Sequence, residues 1–214
     1  MRTTERLKAL KSWVYKTVCE GRQMKAPGER NDIRDVRTQE PQCFLAWYPT
    51  RPDQTGYKNP DPLSVCPSIL IMPNAGHFKY VEEKRFDRYK GVNRSKDLGD
   101  TLSVNILFSV YEPGIRLPGF KEDGKVDMTR VMEGTEEGLC TLLDWMDDLQ
   151  QALLASRFIP KSDLFLSEET GVRSLYTDQN FVVDKRPIYY GFIACEFKCY
   201  NDDGGRNAID ELLL

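Results

Sequence analysis

Thr101-Leu-Ser-Val-Asn-Ile-Leu-Phe-Ser-Val-Tyr111 is the stretch that decides the fold. Leu102, Val104, Ile106, Phe108 and Val110 are apolar, and Ser103, Asn105 and Ser109 stand between them. A period of two places the two sets on opposite faces of an extended strand, so one face is buried and the other polar. Downstream, Glu112-Pro-Gly-Ile-Arg-Leu-Pro-Gly119 ends this strand, and an acidic loop leads to a predicted helix over 136–156. Thr135 is its expected N-cap, with Glu136 and Glu137 in the first turn where carboxylates favour the helix dipole. Leu139, Leu142, Leu143, Met146, Leu149 and Leu153 form its apolar stripe, and Pro160 stops it. Such a helix has to lie on something apolar, and the strand supplies it.

Further strands are predicted over 172–176, 181–183 and 188–200. The last is long, apolar on both faces in its first half and polar on one face at Glu196 and Lys198. Upstream, Leu7, Leu10, Val14 and Val18 recur at helical steps over 3–20 while Lys8, Lys11 and Lys16 point elsewhere, and Gly21 is placed to end that helix. From 22 to 63, Pro27, Gly28, Pro41, Pro49, Pro52, Gly56, Pro60 and Pro62 predict an extended loop or arm, broken only by the apolar run 43–48, that is either functional or becomes ordered against a partner. A strand is expected to begin after Pro67 in the run 65–72, followed by turn chemistry at Asn74-Ala-Gly76 and an exposed strand or ribbon over 77–89. Residues 201–214 form a tail whose apolar end, Ile209-Asp-Glu-Leu-Leu-Leu214, is expected to dock on a neighbour. The order predicts one α+β domain over 1–214, an antiparallel or mixed sheet with two main helices on one face.

At 214 residues the chain is long enough for one sizeable core. Apolar residues at 40% and charged residues at 29% exclude wholesale disorder, and no run approaches the roughly 18 apolar residues of a membrane span. The start, Met1-Arg-Thr-Thr-Glu-Arg-Leu-Lys8, carries charge where a signal peptide needs its apolar centre, so the expected place of synthesis is the cytosol. Six cysteines are scattered without a CxxC pair and read as reduced, mostly buried residues. Net charge is −3 but unevenly spread: residues 1–40 carry ten Lys/Arg against six Asp/Glu, 79–96 seven against three, and 121–150 three against nine. Such polarity suits head-to-tail contacts between identical subunits, and an ordinary solvated surface accounts for it equally.

Signatures of chemistry are sparse. The single histidine, His77, lies in a turn-to-strand context with no Gly-x-Ser-x-Gly elbow anywhere in the chain. A hydrolase pairing Cys or Ser with His77 is one alternative reading, and an ordinary surface or structural histidine is the plainer one. Asp144 and Asp148 share a helix face and invite a metal, but a solvated acidic face opposite the leucine stripe accounts for them and for Asp147. No phosphate-cradling glycine fingerprint is present, and no cofactor or small-molecule substrate is expected. The basic, aromatic stretch 79–96 is the candidate nucleic-acid surface, a second alternative reading, and serves equally to meet a protein neighbour. The candidate subunit interface is therefore Lys84, Arg85, Arg88 and Lys90 on one side and Asp144, Asp147 and Asp148 on the other.

The alternating strand over 101–111, the long amphipathic helix and the long closing strand over 188–200 together resemble the tail terminator and tail-completion proteins of long-tailed bacteriophages. The resemblance covers most of the chain and rests on element order and pattern. It implies a non-enzymatic virion subunit at the tail or head-tail junction, made in a bacterial cytoplasm. It further implies a homo-oligomeric ring, favoured as six-fold, with other tail or head-tail connector proteins as partners, DNA met only in passing, and no membrane. The irregular segment after the first helix departs from the compact family pattern, so a neighbouring head-to-tail position is equally implied.

Overall fold

The structure, a computed structural model, describes residues 2–28, 36–46, 48, 52–53, 56–57, 65–81, 97–114, 119–120, 122–124, 126–127, 136–167, 171–174, 183–185 and 187–200. Helix α1 (Thr3–Val14) begins where the Arg2 backbone N–H donates to Glu5 Oε2 at 2.9 Å, satisfying one orphan donor of the first turn. It widens into a π-helical turn, Tyr15–Cys19, in which the Glu20 N–H reaches back five residues to the Tyr15 carbonyl at 2.9 Å. Leu10, Val14 and Val18 are buried along one edge, and Gly21, at φ +76°, ends the helical segment as its position predicts.

The expectation of a long irregular arm after this helix needs correction. Strands β1 (Met24–Pro27) and β2 (Val36–Gln39) pair antiparallel, β3 (Gln42–Leu45) follows, and β4 (Pro52–Asp53) and β5 (Gly56–Tyr57) form a two-residue ladder. Proline hid them from sequence reading, but Pro27 closes β1 and Pro41 precedes β3, positions where a missing N–H interrupts no pairing.

Next come β6 (Ser68–Val81), β7 (Asp97–Tyr111), β8 (Gly119–Phe120), β9 (Val126–Asp127), α2 (Glu136–Ser156), β10 (Leu164–Leu166), β11 (Val172–Ser174), β12 (Val183–Lys185) and β13 (Ile188–Tyr200). Bounds for α2 and β13 match those read from the sequence, and β6 begins directly after Pro67. At Asn74, however, there is no turn. Pairing passes from Pro73 opposite Val104 to Ala75 opposite Ser103, so Asn74 is the extra residue of a bulge and the strand runs on to Val81 opposite Asp97.

The main sheet has the order β10-β13-β7-β6-β3, antiparallel except that β3 lies parallel to β6. Residues 46–67 between those two strands supply the long crossover that a parallel pair requires. β13 is paired on one side by β7 along its whole length, and on the other by β12, β11 and β10 in turn, at Ile188 to Tyr190, Ile193 to Cys195 and Phe197 to Cys199. The sheet is mixed and the α+β class holds.

Both helices cover one face of this sheet. The core gathers Leu10, Val14 and Val18, the α2 residues Leu142, Trp145, Met146, Leu149 and Leu153, and the inner face of β7, from Leu102 to Val110 in steps of two. Ile193, Cys195, Phe197 and Cys199 extend it across β13. Phe108 and Trp145 meet edge-on at 5.1 Å between ring centroids. On the outer face, the hydroxyls of the buried Ser68 and Ser109 share a hydrogen bond of 2.7 Å, which satisfies two polar groups where the alternation turns inward at both faces.

Candidate interaction surface

The face of α2 turned away from the sheet is its chemistry-bearing side. Over Glu136–Ser156 the helix carries five carboxylates, Glu136, Glu137, Asp144, Asp147 and Asp148, and no lysine or arginine. Asp144 and Asp148 are exposed and Asp147 is half-buried, which places the three acids on the solvent side. Of the stripe read from sequence, Leu142, Met146, Leu149 and Leu153 are buried, whereas Leu139 and Leu143 are only half-buried. Trp145, omitted from that stripe, is fully buried, and its indole Nε1–H donates to the Val18 carbonyl at 2.9 Å. Its position three after Leu142 and four before Leu149 was the signal available.

Asp148 is not simply solvated. It accepts from the Arg22 guanidinium just beyond the end of the first helical segment. That pair lies in an open groove of about 480 Å³ between the π-helical turn and α2, lined also by Thr17, Val18, Glu20, Gln151, Ala152 and Ala155. Near the start of α2, Lys25 Nζ donates to Glu112 at 2.7 Å and lies 3.3 Å from Glu137. Burial alone would lower the Lys25 pKa, but the two carboxylates outweigh it and hold the ammonium above its usual range. The acidic character of α2 is thus partly neutralised at Glu137 and Asp148, and Glu136, Asp144 and Asp147 remain as its outward charges.

A second surface lies past the C-terminal end of this helix. Arg157, at φ +52°, stops α2 three residues before Pro160, and the chain folds back through Lys161, at φ +61°, into β10. Phe158 packs against Phe165 with 5.3 Å between ring centroids, yet 38% and 41% of these residues stay exposed. Sequence reading missed both this corner and β10, because three residues are too few to show a period. Beneath it, Arg6 donates to both carboxylate oxygens of Asp163 at 2.8 and 2.6 Å, tying the corner to α1.

The basic partners expected from sequence, Lys84, Arg85, Arg88 and Lys90, lie outside the described residues, as do Thr135 and the tail 201–214. What is described is their setting: they belong to the connection between β6 and β7, which stay in register out to Val81 and Asp97. His77 lies on β6 opposite Thr101, on a strand as expected from 77 onward. All six cysteines are free thiols and five are buried, as read from sequence. Burial pushes Cys19, Cys43, Cys66 and Cys195 up to about 12, far from the thiolate that nucleophilic chemistry needs.

Among the described residues, no group of three His, Cys, Asp or Glu side chains is arranged to hold a metal ion, and no helix is long and apolar enough to cross a membrane. No protein-family model matches the chain, and no curated protein matches it either.

Proposed function

We propose that the chain is a non-enzymatic virion structural subunit, a tail terminator or a neighbouring tail or head-tail joining protein, that forms a homo-oligomeric ring on the end of a tail tube. Six-fold closure is the favoured size. The observation that carries the reading is the solvent face of α2, five carboxylates without a base on a helix whose other face is committed to the sheet. A face of one sign on a rigid element selects neighbours of the other sign. The β6–β7 hairpin adds a long arm whose connection carries Lys84, Arg85, Arg88 and Lys90, cations for neighbouring connector proteins or for DNA in passing. Buried thiols and paired carboxylates support a structural rather than a catalytic role. The subunit is made in the bacterial cytoplasm and ends in the virion.

Light scattering on the eluting protein, with electron microscopy of the same fractions and of particles, tests this. The expected result is a ring of defined stoichiometry that is also found at the head-tail junction. A chain that stays monomeric at all concentrations and is absent from particles ends the reading.

A further inference from the structure

We propose that the corner built by Phe158 and Phe165, with Arg157, Lys161 and Lys198 around it, docks on the acidic solvent face of α2, at Asp144 and Asp147, of a second copy of this chain. This rests on the reading of the chain as an assembling subunit, and it names the contact. Four large apolar side chains are exposed among the described residues, and three of them, Leu154 at 48%, Phe158 at 38% and Phe165 at 41%, fall within twelve positions of one another along the chain. Exposed aromatics grouped in this way mark contact sites rather than scattered surface apolarity. Arg157 and Lys161 are exposed beside them, and Lys198 is the register partner of Phe165 on β13.

The corner is built to keep its shape. Leu166 N–H donates to the Arg157 carbonyl at 2.8 Å, Ile159 N–H to the Leu164 carbonyl at 3.1 Å, and the Ser162 hydroxyl to the Ile159 carbonyl at 2.7 Å. The Arg6–Asp163 pair clamps it from α1. A surface ordered before contact loses little freedom on docking. Because residues 157–159 already pair along β10, the corner meets a partner through side chains rather than by adding a strand.

Charge and direction identify the partner. All the acids of α2 lie within its first thirteen residues and cations follow its end, a separation of about 15 Å from Asp147 to Arg157 at 1.5 Å per residue. Phe165 shares the outer face of the sheet with Lys198, whereas α2 covers the inner face, so the two patches look in different directions. Complementary patches that face apart on one molecule join copies head to tail, and such contacts close into rings when the rotation allows.

The test uses full-length charge-reversal variants at exposed or half-exposed positions, Arg157→Glu/Lys161→Glu and Asp144→Lys/Asp147→Lys, with circular dichroism to verify folding. Light scattering at about 0.1 M salt is expected to show each variant alone needing at least tenfold more protein than wild type to assemble. An equimolar mixture of the two is expected to assemble again, because each reversed patch then finds its complement. If wild type assembles and both reversed variants assemble equally well, this contact is wrong and the ring reading stands. If Lys84→Glu/Arg85→Glu/Arg88→Glu/Lys90→Glu abolishes assembly while the corner variant does not, the hairpin connection holds the contact instead. Wild type that never assembles removes both the contact and the ring.

Discussion

Gly191 lies on β13 directly beneath α2. A Cβ there would overlap Met146 Sδ and come within 3.3 Å of Leu142 Cδ2, both on the helix. The absence of a side chain lets helix and sheet approach closely, and Gly138 does the same from the helix side, where a Cβ would lie 2.8 Å from Glu112 Cβ. Gly191→Ala is expected to cost about 1–3 kcal/mol through overpacking, read as a lower urea midpoint with an unchanged slope. A variant as stable as the parent would mean that α2 rides higher on the sheet than described. Asp163 makes a different kind of residue-scale prediction. Burial alone would raise its pKa, but the Arg6 hydrogen bonds and charge prevail and hold its carboxyl below the usual range. A depressed folded value means the pair contributes fully above the unfolded value of about 3.9, and its contribution disappears as pH falls through the folded one. Asp163→Asn is expected to cost about 3 kcal/mol at pH 7, because it removes the carboxylate charge and the bidentate hydrogen bonds that balance a nearly buried guanidinium, and to flatten the acid limb of the stability profile below about pH 4. Urea unfolding from pH 2 to 7 on both proteins measures it; an acid limb identical to that of wild type would exclude this pair as its source.

Helix α2 divides cleanly into a face that holds the fold and a face that does not. Leu142→Ala or Leu149→Ala is expected to cost about 2–5 kcal/mol in thermal or urea unfolding, since both side chains are wholly buried between the helix and the sheet. Asp147→Asn with Asp148→Asn is expected to change stability by no more than about 1 kcal/mol, the worth of an exposed ion pair such as Arg22–Asp148. A double Asn variant that unfolds several degrees early would show that this pair anchors the helix. The contrast was legible in the sequence because twenty-one residues display the helical period many times over, as do fifteen residues of β7 and thirteen of β13 for the strand period. Short elements were not legible. β1, β2 and β10 offer only three or four residues each, and their pairing is decided by partners distant in the chain. Half of the candidate surface was likewise readable: the acids of α2 stand where the period puts them, but the corner at Phe158 and Phe165 depends on a chain reversal set by two left-handed residues, Arg157 and Lys161, that no sequence pattern announces.

In the whole molecule, β7 is the strand paired along its length on both sides, by β6 and by β13, with the core against its inner face. Its amides point alternately to the two neighbours, so the whole strand exchanges only when both part from it, which approaches global opening. Native-state hydrogen exchange is therefore expected to rank residues 102–110 slowest and β10, β11 and β12 faster, since each of those three holds β13 by a few residues only. Equal protection across all four strands would show that the edge opens together with the centre. The same edge has a consequence for redesign. β12, β11 and β10 each take their alignment separately from β13, whose alignment with β7 is set along thirteen consecutive pairs. Extra chain added between β11 and β12 leaves the register of each strand to be set by its own pairing with β13. That junction is the natural place to graft an epitope tag or a fluorescent reporter for following the subunit through assembly, whereas an insertion of one residue within β13 would turn every inward side chain beyond it to the outer face.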